Sequence, residues 1–354
     1  MTTSKVPEGD ILSMMPEELA SMVEAEGERR FRGRQLFEWI WRHHAREYQD
    51  VSVWPGSFKE AMQSRHPFHR LTLVKSQVAS DGTTKLLLRL YDGQQVETVL
   101  LPHRYGYSVC VSSQVGCAMG CNFCASGLKG RIRQLSAGEM ADQVAYGNQV
   151  LKERGQHISR IDVMGIGEPL DNFANFMRFL ELVHHPESFN LSYRHITVST
   201  SGLVPAIKKL ADSGWPVTLA VSLHAPNDEL RQKLMPVNRA YPLSLLIPMC
   251  RYYAERTGRR VTFEYLLLNA VNDGVEEARQ LGELVRGFPS HVNLIPWNPV
   301  DEHPFQPSPK DRVRRFQSIV QEYGISCTIR RELGQEIDAA CGQLRLREEE
   351  QVSP

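Results

Sequence analysis

A regular alternation of apolar, β-prone segments with helical ones between residues 107 and 333 constrains the fold of this chain more than any other feature. Alternation of this kind predicts a parallel sheet with helices packed against it. Six core strands are predicted, with the sequences SVCVSSQ, RIDVMGIG, RHITVSTS, PVTLAVSLH, RVTFEYLLL and HVNLIPWN. We therefore expect an α/β fold with an open or partial barrel, in which functional side chains gather at the carboxyl ends of the strands.

The segment before this core, residues 1–70, has the pattern of a separate helical accessory domain. Its stretch FRGRQLFEWIWRHH places four large side chains on one helical face: Phe37, Ile40, Trp41 and His44. Four arginines lie at the start of that stretch: Arg29, Arg30, Arg32 and Arg34. Two interpretations remain open, an aromatic core stripe with a solvated basic edge or a small RNA-docking domain.

Two shorter segments flank the core. Residues 71–106 contain three β-prone runs, and Asp92-Gly93 marks a tight turn between the last two, so a short antiparallel β extension is predicted. Residues 334–354 follow a late strand, CTIRRE, and form a polar C-terminal tail.

Two helix starts in the core follow from local sequence. One helix is expected to begin at Ser136, where Glu139 three residues later completes a capping box. Another is expected to begin at Ser308, with Pro309 in the first helical position.

Composition narrows the class of protein. The 41 basic and 41 acidic residues give a formal net charge of zero, which is no global argument for nucleic-acid binding. No apolar run approaches the ~20 residues of a membrane-spanning helix, and the N-terminus lacks the features of a signal peptide. We therefore expect a cytoplasmic protein without membrane association. Seven cysteines in a reducing compartment favour metal binding or catalysis over a disulfide framework.

Three of the cysteines form one short loop directly after the first core strand. Cys117, Cys121 and Cys124 have C-x3-C-x2-C spacing, and three thiolates on a glycine-containing loop can bind three irons of a [4Fe–4S] cluster. The fourth iron then stays open for a substrate. The alternative is a structural zinc site, which normally uses four ligands in C-x2-C pairs.

Polar and glycine residues recur at the ends of the following strands. They are Gly167 and Glu168 in GIGEP, Ser199 in VSTSG, Ser222, Leu223 and His224 in SLHAPND, and Asn298 in NLIPWNP. Taken alone, a polar residue at a strand end is often no more than a helix cap. Together with the cysteine loop, they resemble the radical S-adenosylmethionine (SAM) superfamily. That resemblance implies a partial (β/α)6 barrel, SAM chelated to the open iron, and SAM contacts from these seven residues.

Three further residues carry possible chemistry. Cys110 lies in the first core strand, where a cysteine is often a small buried hydrophobe. Cys341 lies in the tail between small residues, in a segment too short and polar to form its own core. Glu97 in QQVETVLLP is either a strand-edge surface charge or a general base. Cys250 and Cys327 are interpreted as packing residues.

The motifs CVSSQVGC, GIGEP, SLHAPND, NLIPWNP and IDAACGQL together resemble the RlmN/Cfr family of RNA adenine methyltransferases over nearly the whole chain. The resemblance implies that one SAM methylates Cys341 and that a second SAM is cleaved at the cluster. The 5′-deoxyadenosyl radical then activates the cysteine-bound methyl group, which adds to adenine. Glu97 would accept the ring proton. Cys110 would release the product through a transient disulfide with Cys341.

This mechanism agrees with the chemistry of adenine, whose C2 and C8 are not nucleophilic and would not accept a methyl group by polar transfer. The covalent adduct needs both a leaving thiolate and a resolving thiol, which accounts for two cysteines outside the cluster loop.

The resemblance favours the RlmN branch, which methylates C2, because GIGEPLDN, SLHAPND and FEYLLLNAVND look like that side. It implies as substrates an adenosine of the 23S rRNA peptidyl-transferase centre (the adenosine-2503-type site) and one beside the tRNA anticodon (the adenosine-37-type site). The alternative is Cfr-type C8 methylation of the same rRNA adenosine. An electron donor such as a flavodoxin and its reductase is also implied, whereas no oligomer is.

RNA contacts are less defined by the sequence. Two basic groups lie near the reacting residues, namely Lys129, Arg131 and Arg133 after the cluster loop, and Arg330, Arg331, Arg345 and Arg347 around Cys341. They suit phosphate binding but are equally typical of solvated faces. Since the target base must leave its stack, we expect action on unfolded or naked RNA. Rival functions are a radical SAM enzyme with a small-molecule or peptide substrate, and a non-catalytic zinc-bearing RNA-binding module.

Overall fold

The computed structural model describes residues 10–67, 69–299, 303–331, 333–337 and 343–344. Its strands are β1 (Thr72–Val78), β2 (Thr84–Arg89), β3 (Gln95–His103), β4 (Gly106–Cys110), β5 (Gln114–Gly116), β6 (Arg131–Gln134), β7 (Ile158–Val163), β8 (Ile196–Thr200), β9 (Thr218–Ser222), β10 (Val261–Leu267), β11 (Ser290–Pro296) and β12 (Ser326–Ile329). Its helices are α1 (Pro16–Ala25), α2 (Phe31–Trp41), α3 (Gly56–Arg65), α4 (Ala137–Lys152), α5 (Phe173–His184), α6 (Val204–Asp212), α7 (Asp228–Leu234), α8 (Leu243–Thr257), α9 (Val275–Val285) and α10 (Lys310–Glu322).

Ten of the strands form one sheet in the order β1-β2-β3-β4-β7-β8-β9-β10-β11-β12. From β4 onward every neighbouring pair is parallel, which confirms the α/β partial barrel and all six predicted core strands. The late strand is confirmed as β12. Strand β10 is buried along nearly its whole length, as expected for a parallel strand covered on both faces.

The β extension is confirmed as antiparallel, and it is continuous with the barrel sheet. Strands β1 to β4 pair antiparallel in sequence, so β3 lies directly beside the first barrel strand. The predicted Asp92-Gly93 turn is present. The left-handed φ of 83° at Gly93 permits it, and the Leu90 N–H donates to the Gln94 carbonyl at 2.8 Å across its base.

The N-terminal segment is helical, as predicted, and its aromatic stripe is part of the core. Phe37, Ile40 and Trp41 are at most 2% exposed and belong to the same hydrophobic cluster as the barrel. His44 does not share that helical face, because α2 ends at Trp41 and His44 has a left-handed φ of 56°.

The basic edge of α2 is largely neutralised by acidic side chains. Arg30 pairs with Glu24 at 2.7 Å, and Arg32 pairs with Glu28 at 2.8 Å. Arg34 pairs with Glu187. These contacts support the interpretation as a solvated, ion-paired edge.

A buried ion pair fixes the N-terminal helices to the barrel. The Arg70 guanidinium pairs with the Asp142 carboxylate on α4, and both side chains are nearly inaccessible to solvent. Asp142 also accepts the Leu71 N–H at 2.8 Å. Arg70 lies over the Trp41 ring at 5.4 Å and donates to the Ile40 carbonyl at 2.7 Å.

Two local expectations for helix starts had different outcomes. Helix α4 follows an N-cap at Ser136 with both hydrogen bonds of the predicted capping box to Glu139. Helix α10 begins at Lys310, so Pro309 is its N-cap residue and not its first helical residue. The two-stranded β5–β6 hairpin was not predicted from sequence.

We expect Asp142→Ala to reduce the free energy of unfolding by about 3–5 kcal/mol, because it leaves the buried Arg70 guanidinium without its counter-ion. Denaturant unfolding followed by circular dichroism measures this. Asp212→Ala, which removes the exposed Lys208–Asp212 pair, is the matched control and should change stability little. Equal losses in the two variants would contradict a special role for the buried pair.

Candidate active site

Two cavities that share a wall open at the carboxyl ends of the barrel strands. The smaller cavity has a volume of about 140 Å³. Its lining includes two residues of the cluster loop and four polar residues of the strands and strand ends: Phe123, Cys124, Ser199, Ser222, His224 and Glu264. The larger, of about 460 Å³, contains Cys110 and Asn298. Cys124, Met164, Ile295 and Arg330 line both. The barrel therefore places a cluster cysteine between two adjoining spaces.

The loop that carries the three cysteines is held at both ends. It is enclosed by the β5–β6 hairpin, in which the Cys117 N–H donates to the Gly130 carbonyl at 3.2 Å. Gly116 approaches the same carbonyl so closely that a Cβ would overlap its oxygen, and its φ of +75° is left-handed. In the middle of the loop, Asn122 donates from its backbone to the Leu234 carbonyl at 3.0 Å and from its side chain to the Lys233 carbonyl at 2.6 Å.

The thiols of this loop suit an iron–sulfur cluster. Burial raises the pKa of Cys117 to about 12 and raises that of Cys121 as well, and the neighbouring Cys124 adds to both shifts. Thiolates in such surroundings need a cationic partner, which cluster irons provide. Among the residues with described positions, no three cysteine, histidine or acidic side chains converge closely enough to hold a single ion. A cubane needs no such convergence, because each thiolate binds a different iron.

The glycine-rich segment after β7 packs tightly against the β4–β5 connection and the start of β5. A Cβ on Gly165 would lie 2.8 Å from the Ser112 nitrogen, and one on Gly167 would lie 2.8 Å from the Gln114 nitrogen. The Glu168 carboxylate is buried and accepts the Ser201 N–H at 2.7 Å and the Leu170 N–H at 3.1 Å. Its burial raises the pKa of Glu168, while these hydrogen bonds lower it. Glu168 thus ties the segment to the turn after β8.

His224 is a neutral hydrogen-bond donor in the smaller cavity. Its Nδ1 accepts the Leu266 N–H at 2.9 Å, so its proton is on Nε2. Burial, with the charge of Arg231, lowers the pKa of His224 to about 3. Its ring meets that of Phe123 edge to face at 4.7 Å. The left-handed φ of 58° at His224 sets this orientation.

The other predicted SAM contacts differ in their placement. Ser199 and Ser222 line the smaller cavity, and Asn298 lines the larger one. Leu223 is completely buried in the hydrophobic core, and its N–H donates to the Glu264 carbonyl at 3.0 Å. Its side chain therefore packs, and only its backbone is near the cavity.

Two charged residues that the sequence did not single out shape the smaller cavity. Glu264 lines it, and Arg231 supports the backbone of the loops around it. Glu264 is on β10 and accepts from the Asn293 side chain at 2.9 Å. Arg231 on α7 is fully buried and donates to the backbone carbonyls of Ser201 at 2.7 Å, Ser222 at 3.2 Å and Leu223 at 3.2 Å. Their sequence signal is weak, because a lone charged residue in a strand or helix is normally on the surface.

Glu97 is buried, so its interpretation as a strand-edge surface charge is wrong. Its carboxylate pairs with the Lys85 ammonium at 3.2 Å, and each side chain is at most 3% exposed. Strand alternation puts Glu97 on the same face as Val99, which lines the larger cavity and stands opposite Cys110 in the β3–β4 register. The antiparallel extension thus places a carboxylate beside the cavity, towards the cluster end.

The described part of the tail reaches the same region. Leu344 is 5% exposed and packs with Val99, Cys110 and Ile166. Its carbonyl accepts from the Ser126 hydroxyl, two residues after the last cluster cysteine, at 2.7 Å. Cys341, Arg345 and Arg347 lie outside the described residues, so the expected Cys110–Cys341 disulfide remains a prediction.

The basic residues after the cluster loop are mostly engaged within the protein. Arg133 is buried between Glu139 at 2.8 Å and Asp92 at 2.7 Å, so neither a phosphate contact nor a solvated face describes it. Arg131 pairs with Asp171. By contrast, Arg330 and Arg331 line the larger cavity. Cys250 and Cys327 are buried in the main core, which confirms them as packing residues.

A partial parallel barrel with a three-cysteine loop after its first strand and polar groups at the following strand ends defines a radical SAM enzyme. The Radical SAM superfamily model matches residues 111–282. The model of the ribosomal RNA large subunit methyltransferase N-terminal domain matches residues 9–62.

Relatives define the family more narrowly. The chain is 47% identical over 342 residues to a probable dual-specificity RNA methyltransferase RlmN of Geobacillus kaustophilus, covering 97% of this chain and 94% of that protein. It is 49% identical over 337 residues to a protein with the same name from Symbiobacterium thermophilum, covering 94% and 90%. A solved radical SAM methyltransferase from Sphaerobacter thermophilus superposes with a TM-score of 0.93 at 45% identity, covering 96% and 99%.

The chain belongs to the RlmN family of radical SAM RNA methyltransferases. This membership excludes the zinc-bearing RNA-binding module and the radical SAM enzyme with a small-molecule or peptide substrate. In the part of the chain that the structure describes, no helix is long and apolar enough to cross a membrane.

We expect Gly116→Ala to impair cluster loading, because its Cβ would force the Cys117 end of the loop away from Gly130. Gly120→Ala is the matched control, since Gly120 also has a left-handed φ, of +65°, but a Cβ there meets only the Pro236 Cγ at 3.9 Å. Iron content and visible absorbance after anaerobic reconstitution measure the difference. Equal iron content in the two variants would show that the close approach to Gly130 is unimportant.

His224→Asn should make the protein less sensitive to acid. Because the folded-state pKa of His224 lies far below that of an unfolded histidine, protonation of the unfolded chain removes stability as the pH falls below about 6.5. Asparagine tolerates the left-handed backbone and keeps an acceptor for Leu266. Between pH 7 and pH 5, the wild type should lose about 2 kcal/mol more unfolding free energy than the variant. The exposed His157→Asn is the control, and parallel losses in wild type and His224→Asn would refute the assignment.

Proposed function

We propose that this enzyme methylates C2 of an adenosine in 23S rRNA, at the adenosine-2503-type site, and in tRNA, at the adenosine-37-type site. The observation that carries the proposal is that Cys110 and the cluster-loop residue Cys124 line one cavity, with a buried carboxylate, Glu97, on the adjoining strand face. A thiol, a base and the cluster loop are the groups that radical methylation of an aromatic carbon requires from the protein.

Cofactor binding is assigned to the chain's own groups. Cys117, Cys121 and Cys124 hold the [4Fe–4S] cluster and leave one iron for SAM. When bound, the reduced cluster supplies the electron that cleaves SAM to methionine and a 5′-deoxyadenosyl radical. Two SAM molecules are consumed in each turnover, one for methylation of Cys341 and one for radical formation. An external donor of the flavodoxin type provides electrons.

The strand-end residues bind and orient SAM. Ser199, Ser222 and the Nε2–H of His224 offer hydrogen bonds in the smaller cavity, and Asn298 does so from the larger one. Leu223 contributes backbone, since its side chain is in the core. Gly167 and Glu168 act through the backbone of their segment, because the Glu168 carboxylate is already occupied by two N–H groups.

Glu97 accepts the proton from the adenine carbon. The ion pair with Lys85 holds the Glu97 carboxylate in place on the strand. The position of Glu97 on the cavity face of β3 is consistent with this role, and its burial excludes competing water.

The two cysteines outside the cluster loop carry and release the methyl carbon. Cys341 holds it as a thioether. Once the 5′-deoxyadenosyl radical has taken a hydrogen atom from it, the carbon forms a bond to the adenine, and the resulting adduct radical loses one electron, which the oxidised cluster would accept. After Glu97 removes the ring proton, the Cys110 thiolate attacks the Cys341 sulfur. A sulfur–sulfur bond forms, the sulfur–carbon bond breaks, and the released carbon takes up a proton to become the methyl group. Two electrons from the donor then reduce the disulfide.

The choice of C2 over C8 rests on family membership, because no described side chain distinguishes the two carbons. The curated relatives carry the RlmN name, and GIGEPLDN matches that branch. Cfr-type C8 methylation is the alternative.

The test is mass spectrometry of nucleosides from rRNA and tRNA after anaerobic incubation with reconstituted enzyme, reductant and SAM. We expect 2-methyladenosine. The appearance of 8-methyladenosine would overturn the branch, and 5′-deoxyadenosine without any methylated adenosine would overturn the substrate. Naked RNA should be methylated and intact ribosomal subunits should not, because the target base must leave its stack.

Single substitutions test the roles proposed for Cys341, Cys110 and Glu97. Cys341→Ala should give neither product nor protein–RNA adduct. Cys110→Ala should accumulate a covalent adduct, because the resolving thiol is absent. Glu97→Gln should reduce the rate by about 10²–10⁴-fold. Cys250→Ala removes a buried thiol outside the cavities and should retain activity. Product formation by Cys110→Ala at the wild-type rate would refute the resolving role.

A further inference from the structure

The rim of the larger cavity carries an aromatic group that the proposed reaction does not use. Strands β3 and β4 are joined by a two-residue turn, Arg104 and Tyr105, between the paired residues His103 and Gly106. His103, Arg104 and Tyr105 all line the cavity that contains Cys110. Tyr105 is 57% exposed, so part of its ring is accessible to a ligand.

The ring of Tyr105 is held in place by its neighbours. The His103 ring lies parallel to it, with centroids 4.9 Å apart and an interplanar angle of 8°. His103 is itself fixed through its Nε2, 3.0 Å from the Ser108 hydroxyl. The Arg160 guanidinium lies 4.6 Å from the centre of the Tyr105 ring. An exposed ring that is already oriented loses little conformational entropy when a planar ligand stacks on it.

The same rim has an excess of positive charge. Among the described residues that line the cavity, Arg104, Arg330 and Arg331 are basic and Asp162 is acidic. Burial, together with Arg160, Arg330 and Arg331, lowers the pKa of His103, so this ring stacks in its neutral form. Since the chain as a whole has a net charge of zero, this is a local concentration of charge. Aromatic groups set among arginines are typical of surfaces that bind single-stranded nucleic acid.

We propose that the β3–β4 turn is a stacking platform for a nucleotide that flanks the target adenosine. An unpaired base of the RNA stacks on the exposed part of Tyr105, and the rim arginines contact the adjoining phosphates. The platform would hold the strand while the target base enters the cavity beside Cys110. This inference rests on the proposed RNA substrate and adds a substrate contact that neither the cluster nor the cysteines provide.

The experiment uses the full-length reconstituted enzyme and hairpin RNAs whose loop contains one adenosine, with the fluorescent base 2-aminopurine on its 5′ or its 3′ side. Because stacking quenches 2-aminopurine, binding to the wild type should lower the fluorescence of one of the two probes. Tyr105→Ala should abolish that quenching and weaken binding about tenfold. Tyr105→Phe keeps the ring and should restore both within about twofold.

Tyr252→Ala is the matched control. The Lys208 ammonium lies 5.5 Å from the centre of the Tyr252 ring, so this tyrosine also contacts a cation, but it is on helix α8, away from the cavity. It should leave quenching and affinity unchanged. Arg331→Ala should weaken binding to all RNA sequences alike and should reduce the slope of log affinity against log salt by about one. Arg256→Ala should change neither the affinity nor the slope.

Two results would overturn the platform: unchanged quenching and affinity in Tyr105→Ala, or an equal loss of cluster absorbance and SAM binding, which would make Tyr105 structural. RNA binding is measured without reductant and is independent of methylation. A Tyr105-dependent quench with no methylated adenosine formed would therefore support the platform and refute the proposed reaction. Methylated adenosine without a Tyr105-dependent quench would support the reaction and refute the platform.

Discussion

The SAM-binding end of the barrel depends on the hydrogen bonds that the buried Arg231 guanidinium donates. The guanidinium donates to carbonyls at the carboxyl ends of β8 and β9, namely those of Ser201, Ser222 and Leu223. Burial lowers the pKa of Arg231 to about 10, so it stays charged at neutral pH. A fixed cation below these strand ends satisfies carbonyl groups that a strand end would otherwise leave without partners, and it orients Ser222 and His224 towards the cavity.

The antiparallel extension gives the site its second half. In a barrel of parallel strands, the face that carries the site is formed only by the carboxyl ends of the strands. Because β3 runs opposite to β4, its amino-terminal half reaches that side too and brings Glu97 near Cys110. A buried lysine on β2 then becomes the partner of Glu97. The same continuity places the β3–β4 turn on the cavity rim, so one sheet supplies the thiol, the carboxylate and the exposed Tyr105.

The sequence predicted what depends on local pattern or on motif. Strand–helix alternation gave all six barrel strands, and the Ser136 capping box and Asp92-Gly93 turn were found where expected. Burial of Glu97 could not be predicted, because it depends on Lys85 from another strand. Burial of Arg133 could not be predicted for the same reason, since its partners Asp92 and Glu139 lie in different elements. Arg231 gave only a weak signal, because a lone charged residue on a helix is normally exposed.

The distribution of charge also bears on how a neutral chain selects RNA. Arginines on α2 and after the cluster loop are compensated by carboxylates, so those surfaces attract phosphate weakly. At the larger cavity, the described lining residues include three arginines and one aspartate. A uniformly basic protein would bind any RNA, and the many competing sites in a cell would hold it away from its target. Attraction restricted to the cavity rim favours RNA that presents a flexible, unstacked strand there, the form from which a base can reach the cluster.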